Sequence, residues 1–192
     1  MSFGFCHLDL NMRITSGQYK GRSIKAPEHI RPTKDIARKA LFDILGDVSG
    51  SAFLDLFAGS GAVGLEAASR GAESVVLVER DFACLGVIEE NIRVFKCGKC
   101  EVFPKDALEA IKQLYGGKRV FDVIFLDPPY NEGLSKNILQ ILDACDILAR
   151  NGFVVIEHSC AEALPEVLSN LSLVKQRSYG KTILSFYTKI NT

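Results

Sequence analysis

The feature that most narrows the folds open to this chain is a glycine loop, Gly59-Ser60-Gly61-Ala62-Val63-Gly64, set between the apolar run Ala52–Leu56 and a helical pattern. Glycines at such a junction let the backbone turn sharply from strand into helix and let a ligand approach the main chain. The alternation continues along the chain. Ser74–Val78, Glu101–Phe103, Phe121–Leu126 and Phe153–Ile156 read as further strands. Val63–Arg70, Phe82–Phe95, Ala107–Tyr115, Leu134–Leu148 and Ala161–Leu168 carry helical spacing. Strands and helices alternating in this way predict an α/β fold: a mostly parallel sheet with helices on both faces. Leu173–Ser178 and Ile183–Tyr187, joined by Tyr179-Gly180-Lys181, are close enough for a hairpin, so the sheet is expected to be mixed.

Upstream of this unit, residues 12–32 read as a small β-hairpin extension around the turn Gly17–Gly21, ended by Pro27 and Pro32. Thr33 is a candidate N-cap for a helix patterned by Ile36, Ala37, Ala40, Leu41, Ile44 and Leu45, which opens the main domain, 33–192. Met1–Asn11 fits neither unit and is expected to lie outside the fold, with Met12 as the natural start. Formal net charge is zero, yet residues 13–39 hold eight basic side chains against two acids, so this segment is +6 and the rest −6. A local positive segment on a neutral protein suggests a polyanion contact as readily as a solvated face. No apolar run approaches bilayer length and no secretory signal pattern opens the chain, so a cytoplasmic protein is expected, with no membrane contact. The six cysteines show no disulfide-framework spacing and are expected to be reduced. Cys97 and Cys100 form a lone CxxC with no second ligand pair, so no metal site is expected.

Glu79 ends the next strand, 20 residues after Gly59, where a carboxylate can accept two ribose hydroxyls. Loop and carboxylate together suit a nicotinamide dinucleotide or S-adenosylmethionine. Asp55, just before the loop, favours the second: it would attract an ammonium and a sulfonium and repel a pyrophosphate. Asp127-Pro128-Pro129-Tyr130 follows the strand Phe121–Leu126, apolar apart from Asp122. Pro-Pro removes two backbone donors and leaves carbonyl acceptors at the turn. Those acceptors and the Asp127 carboxylate suit an amino group with two N–H donors. An aromatic exocyclic amine is a poor nucleophile because its lone pair is delocalised. Accepting hydrogen bonds from both its protons favours a pyramidal nitrogen, and methyl transfer becomes a matter of positioning and charge stabilisation. Tyr130 can stack on a base.

With these residues in view the chain resembles the class I, Rossmann-like amino-methyltransferases through Asp55–Gly61, Glu79, Asp106-Ala107 and Asp127–Tyr130. Arg31-Pro32-Thr33, Arg38 with Ala40-Leu41-Phe42, and Tyr179–Thr182 narrow the resemblance to the RsmD-like family, which methylates N2 of a guanine in bacterial 16S ribosomal RNA. The resemblance spans about Met12 to Tyr187. It implies a seven-stranded sheet whose last strand is antiparallel. It also implies that Asp55, Phe57, Ala58, Gly59, Ser60 and Gly61 hold the methionine part of S-adenosylmethionine, that Glu79 binds the ribose, that Asp106 and Ala107 serve the adenine, and that Arg80 also belongs to the cofactor site. Asp127, Pro128, Pro129 and Tyr130 would take the target amine. Lys20, Arg22, Arg31, Lys34 and Arg38 form the expected RNA-docking set. The expected partner is 16S ribosomal RNA within a small-subunit particle or assembly intermediate, with no obligate protein partner.

Other residues carry plainer readings. Glu157-His158 ends a strand beside the site and reads as structural or rim rather than as a general base, since the nitrogen can lose its proton after transfer. His7 and His29 read as surface. Phe57, Phe82 and Phe125 read as core residues, although Phe82, just past Glu79, could cover the adenine. Competing functions are methylation of DNA adenine or protein glutamine, a nicotinamide oxidoreductase, and a non-enzymatic RNA-binding assembly factor.

Overall fold

The computed structural model describes residues 12–27, 35–129 and 133–190. Along them run α1 (Asp35–Leu45), β1 (Ala52–Asp55), α2 (Ala62–Ser69), β2 (Ser74–Glu79), α3 (Phe82–Phe95), β3 (Cys100–Pro104), α4 (Ala107–Gly116), β4 (Phe121–Leu126), α5 (Leu134–Ala144), β5 (Leu148–Ser159), β6 (Leu171–Tyr179) and β7 (Thr182–Lys189). The strands form one seven-stranded sheet in the order β3-β2-β1-β4-β5-β7-β6. Neighbours among β1 to β5 pair in parallel, and β7 lies antiparallel between β5 and β6. The expected mostly parallel sheet with an antiparallel last strand is therefore observed.

Side-chain alternation divides the core between the two faces. Phe53, Val75, Leu77, Val123, Phe125 and Val155 point to one face, where residues of α1, α2, α3 and the N-terminal hairpin cover them. Leu54, Val76, Val78, Ile124, Leu126, Val154 and Ile156 point to the other, under α4 and α5. Successive strand residues face opposite ways, so strands apolar throughout are the pattern a doubly covered sheet demands.

The N-terminal extension is a docked part of the fold. Arg13 and Ser23 bridge antiparallel, and Ile14, Gly21 and Ile24 close the ladder through backbone bonds to Arg22, Ile14 and Met12. Its tip rests on α2, where Ser69 O accepts Gln18 N–H at 2.8 Å and Ser69 Oγ accepts Tyr19 N–H at 2.9 Å. At Gly17, φ is +78° and a Cβ would overlap the Ser69 carbonyl, so only glycine fits. Glu66 is the buried anchor. Its carboxylate accepts Thr15 N–H, Thr15 Oγ1–H, Ser16 N–H and Arg70 Nε–H within 3.0 Å, and Arg38 Nε lies 3.8 Å away. A buried carboxylate this fully bonded is tolerated where a bare one would not be.

Several expectations are corrected. Ala161–Leu168 is not helical. Pro165 lacks the N–H an internal helical turn requires. Instead its carbonyl accepts Tyr187 Oη–H at 2.8 Å, and the segment reverses through Leu168 N–H to Leu171 O. Leu164 and Leu168 reach the core from this extended path, which accounts for their helix-like spacing. The helix expected over Leu134–Leu148 stops at Ala144, and Leu148 already opens β5. Cys97 and Cys100 are disulfide-bonded at the junction of α3 and β3, against the expectation of reduced thiols. Thr33, His7 and His29 lie outside the described residues, as does Met1–Asn11. Among the described residues no helix is long and apolar enough to cross a membrane.

Candidate functional site

Parallel pairing brings the C-terminal ends of β1, β2, β3 and β4 to one edge of the sheet, where open α/β sheets hold ligands. Asp55 pairs with Leu77 on one side and Phe125 on the other, so Glu79 and Asp127 each lie two residues further along the flanking strands. Three carboxylates thus converge around the loop that follows β1.

Asp55 is buried and accepts Phe57 N–H at 3.3 Å. Burial pushes its carboxyl up to about 7, the neighbouring charges of Asp127 and Glu79 add to the rise, and backbone N–H groups of Phe57 and Gly64 oppose it. A nearby cation would relieve both the burial penalty and the repulsion. The loop turns through left-handed Gly59 and Gly61 (φ 55° and 78°), and Gly61 N–H bonds to Ala58 O at 2.6 Å. Glu79 is organised by the backbone: Oε2 accepts Gly59 N–H at 2.9 Å, and Oε1 accepts Arg80 N–H at 2.8 Å and Asp81 N–H at 2.9 Å. Its carboxylate is therefore held at the rim with acceptor capacity to spare. Asp106 caps α4 through Leu108 N–H, and its other oxygen accepts from Arg80 at 3.3 Å, spanning the loops after β2 and β3.

Asp127 is partly buried, Pro128 buried and Pro129 exposed. Leu126 pairs with Ile156, which sets Asp127 beside Glu157. His158 is held away from acid–base work. Nδ1 lies 3.0 Å from the Ser159 carbonyl, which can only accept, so Nδ1 carries the proton. Nε2 then accepts Ser185 Oγ–H at 2.7 Å, and Ser185 Oγ in turn accepts from Gln176 at 2.9 Å. Burial lowers the imidazole pKa, keeping this neutral tautomer. The plain structural reading of His158 fits this arrangement.

The structure brings together Asp55, Phe57, Ala58, Gly59, Ser60, Gly61, Glu79, Arg80, Asp106, Ala107, Asp127, Pro128 and Pro129 at one edge. Tyr130, Arg31 and Lys34 lie outside the described residues. Arg38 is a correction: it is fully buried and donates to Arg13 O at 2.6 Å, so it cannot meet a phosphate on the surface. Lys20 and Arg22 are exposed, with Arg22 over the Phe95 ring at 4.5 Å and donating to Val94 O. Phe82 is also corrected. It is 88% exposed at the start of α3, outside the core expected for it. Phe125 is buried as expected, and Phe57 is partly so. Sequence reasoning missed Glu66 and Asn91, two buried polar residues on helices that leave the site. A charged residue inside the otherwise small and apolar α2 was the available signal for Glu66.

A protein-family model described as conserved hypothetical protein 95 matches residues 12–188. The chain is 38% identical to YlbH of Bacillus subtilis, over 93% of this chain and 99% of that one. It is 33% identical to ribosomal RNA small subunit methyltransferase D of Escherichia coli K12, over 93% of this chain and 90% of that one. A solved hypothetical protein of Thermus thermophilus superposes with a TM-score of 0.82 at 33% identity, covering 93% of this chain and 99% of that chain.

Proposed function

The chain belongs to the conserved hypothetical protein 95 family, and from that premise we propose that it transfers a methyl group from S-adenosylmethionine to the exocyclic N2 of a guanine in 16S ribosomal RNA, acting in the cytoplasm on a small-subunit particle or assembly intermediate. The observation that carries the reading is the convergence of Asp55, Glu79 and Asp127 around the Gly59–Gly61 turn, beside the Asp-Pro-Pro sequence. The name of the Escherichia coli relative supports the RNA substrate.

The residues fit the cofactor chemically. Burial, with the Asp127 and Glu79 carboxylates beside it, raises the proton affinity of Asp55, so the site favours a ligand bearing a sulfonium and an ammonium and disfavours a pyrophosphate. S-adenosylmethionine, when bound, supplies an electrophilic methyl group. Asp55 and the loop Phe57–Gly61 would hold its methionine part, Glu79 and Arg80 its ribose, and Asp106 and Ala107 its adenine. Asp127 accepts one N–H of the target amine, and a carbonyl of the Pro-Pro turn accepts the other. With both protons engaged, the nitrogen lone pair is freed for attack, and the spare proton leaves to solvent after transfer. Tyr130 stacks on the unstacked guanine. Lys20 and Arg22 on the hairpin, with Arg31 and Lys34, contact phosphates and orient the RNA without reading sequence.

Methyl transfer from labelled S-adenosylmethionine to naked 16S RNA, small-subunit particles, DNA and release factor tests the proposal. Incorporation into the RNA or the particle is expected. Incorporation into DNA or protein alone would replace it with the adenine or glutamine reading.

A further inference from the structure

Asn91 sits in the middle of α3, only 1% exposed, and its amide is wholly engaged. Oδ1 accepts Lys25 N–H at 3.0 Å. Nδ2 donates to Lys25 O at 2.9 Å and to Ser60 O at 2.9 Å. Two of these three partners are carbonyls and one is an N–H, so the amide has a single satisfying orientation. The first two bonds mimic a strand pairing with the return arm of the hairpin. The third reaches the central residue of the Gly59–Gly61 turn. That turn places left-handed glycines on both sides of Ser60, a backbone with wide conformational freedom, so bonds from outside the turn help to fix its shape. On one side Glu79 accepts Gly59 N–H, and on the other Asn91 donates to Ser60 O.

We propose that Asn91 is a positioning residue of the cofactor site, tying the Gly59–Gly61 turn to the N-terminal hairpin through the Ser60 carbonyl. It touches neither cofactor nor substrate; it acts through the backbone of Ser60. The inference rests on the reading of that turn as the loop that holds the methionine part of S-adenosylmethionine. Removing the amide leaves the Ser60 carbonyl without its donor in a buried place, and the turn relaxes to find another. Cofactor affinity then falls. The transfer step itself depends on Asp127 across the site and is preserved once cofactor is saturating.

The test is calorimetric titration of S-adenosylhomocysteine into the full chain and its variants, paired with single-turnover methyl transfer at saturating S-adenosylmethionine. Asn91→Ala is expected to weaken binding about tenfold, the scale of one unmade buried hydrogen bond. Its single-turnover rate is expected to stay within about twofold of the wild type. Asp143→Ala serves as a stability control. It removes the acceptor for Ser169, Asn170 and Leu171 N–H at the far end of α5, and cofactor affinity should not change. Glu90→Gln removes the neighbouring exposed pair with Lys25 and should likewise bind as the wild type. If Asn91→Ala is too unstable to titrate, Asn91→Asp carries the same expectation, since it keeps the shape and the Lys25 N–H acceptor but cannot donate to Ser60. Wild-type affinity in the Asn91 variant, or an equal loss in Asp143→Ala, would overturn the proposal. Wild-type affinity in Glu79→Ala would instead remove the cofactor reading beneath it, a separately visible failure.

Discussion

Replacing Asp55 with Asn isolates the electrostatic tension at the centre of the site. In the folded chain burial, with Asp127 and Glu79 adding, raises the Asp55 carboxyl from 3.8 to about 7. A group whose proton affinity rises on folding contributes stability that is fully present below its unfolded pKa and is lost as pH rises through the folded one. At pH 8 the folded chain must therefore hold an ionised Asp55 that the unfolded chain ionises freely. At about 1.4 kcal/mol per tenfold in proton affinity, moving from 3.8 to about 7 corresponds to about 4 kcal/mol. Asparagine keeps the shape and the acceptor for Phe57 N–H without the charge. Asp55→Asn should raise the unfolding free energy by about 4 kcal/mol at pH 8, about 2 at pH 5 and less than about 1 at pH 4. Urea denaturation at the three pH values measures this directly, provided the slope is unchanged. The same variant should bind S-adenosylmethionine poorly, while wild-type affinity climbs as pH rises toward 7 and binding releases a proton. A variant no more stable than wild type at pH 8, or stabilised equally at pH 4, would refute the argument.

Asp127→Ala should abolish methyl transfer while calorimetry shows cofactor still bound, because Asp127 acts on the amine. Tyr130→Phe should retain much activity and Tyr130→Ala little, and equal rates for the two would remove the stacking role. Gly17→Ala should lower stability by about 1–3 kcal/mol, seen as a reduced melting temperature, because its Cβ overlaps the Ser69 carbonyl and the φ is positive. Neutralising Lys20, Arg22 and Arg31 together should weaken RNA binding and flatten its salt dependence by about 0.7–0.9 log units of slope per lost contact. Wild-type methylation by that triple variant across a salt series would reduce the basic segment to a solvated face.

The sheet and its site edge were legible because their signals are local. Val123–Leu126 is apolar because both sheet faces are covered, and the glycine loop must be glycine because Gly59 and Gly61 are left-handed. What escaped depends on contacts between distant segments. Arg38 reads like its basic neighbours, and only the packing of α1 against α2 turns it inward toward Glu66. Asn91 looks like a solvent-facing residue of an amphipathic helix until the hairpin's Lys25 and the loop's Ser60 meet it. Ala161–Leu168 imitates helical spacing because Leu164 and Leu168 reach the core from an extended path. Hydrophobicity alone assigns Phe82 to the core, yet it opens a helix at the site rim and stays exposed.

Methylation of guanine N2 by this chain is tested in cells by mass analysis of modified nucleosides in small-subunit ribosomal RNA from cells lacking the chain, with and without the chain restored. Deletion is expected to remove one N2-methylguanosine, the wild-type chain to restore it, and Asp127→Ala not to restore it. An unchanged N2-methylguanosine content, or loss of a methylated adenine instead, would contradict that activity.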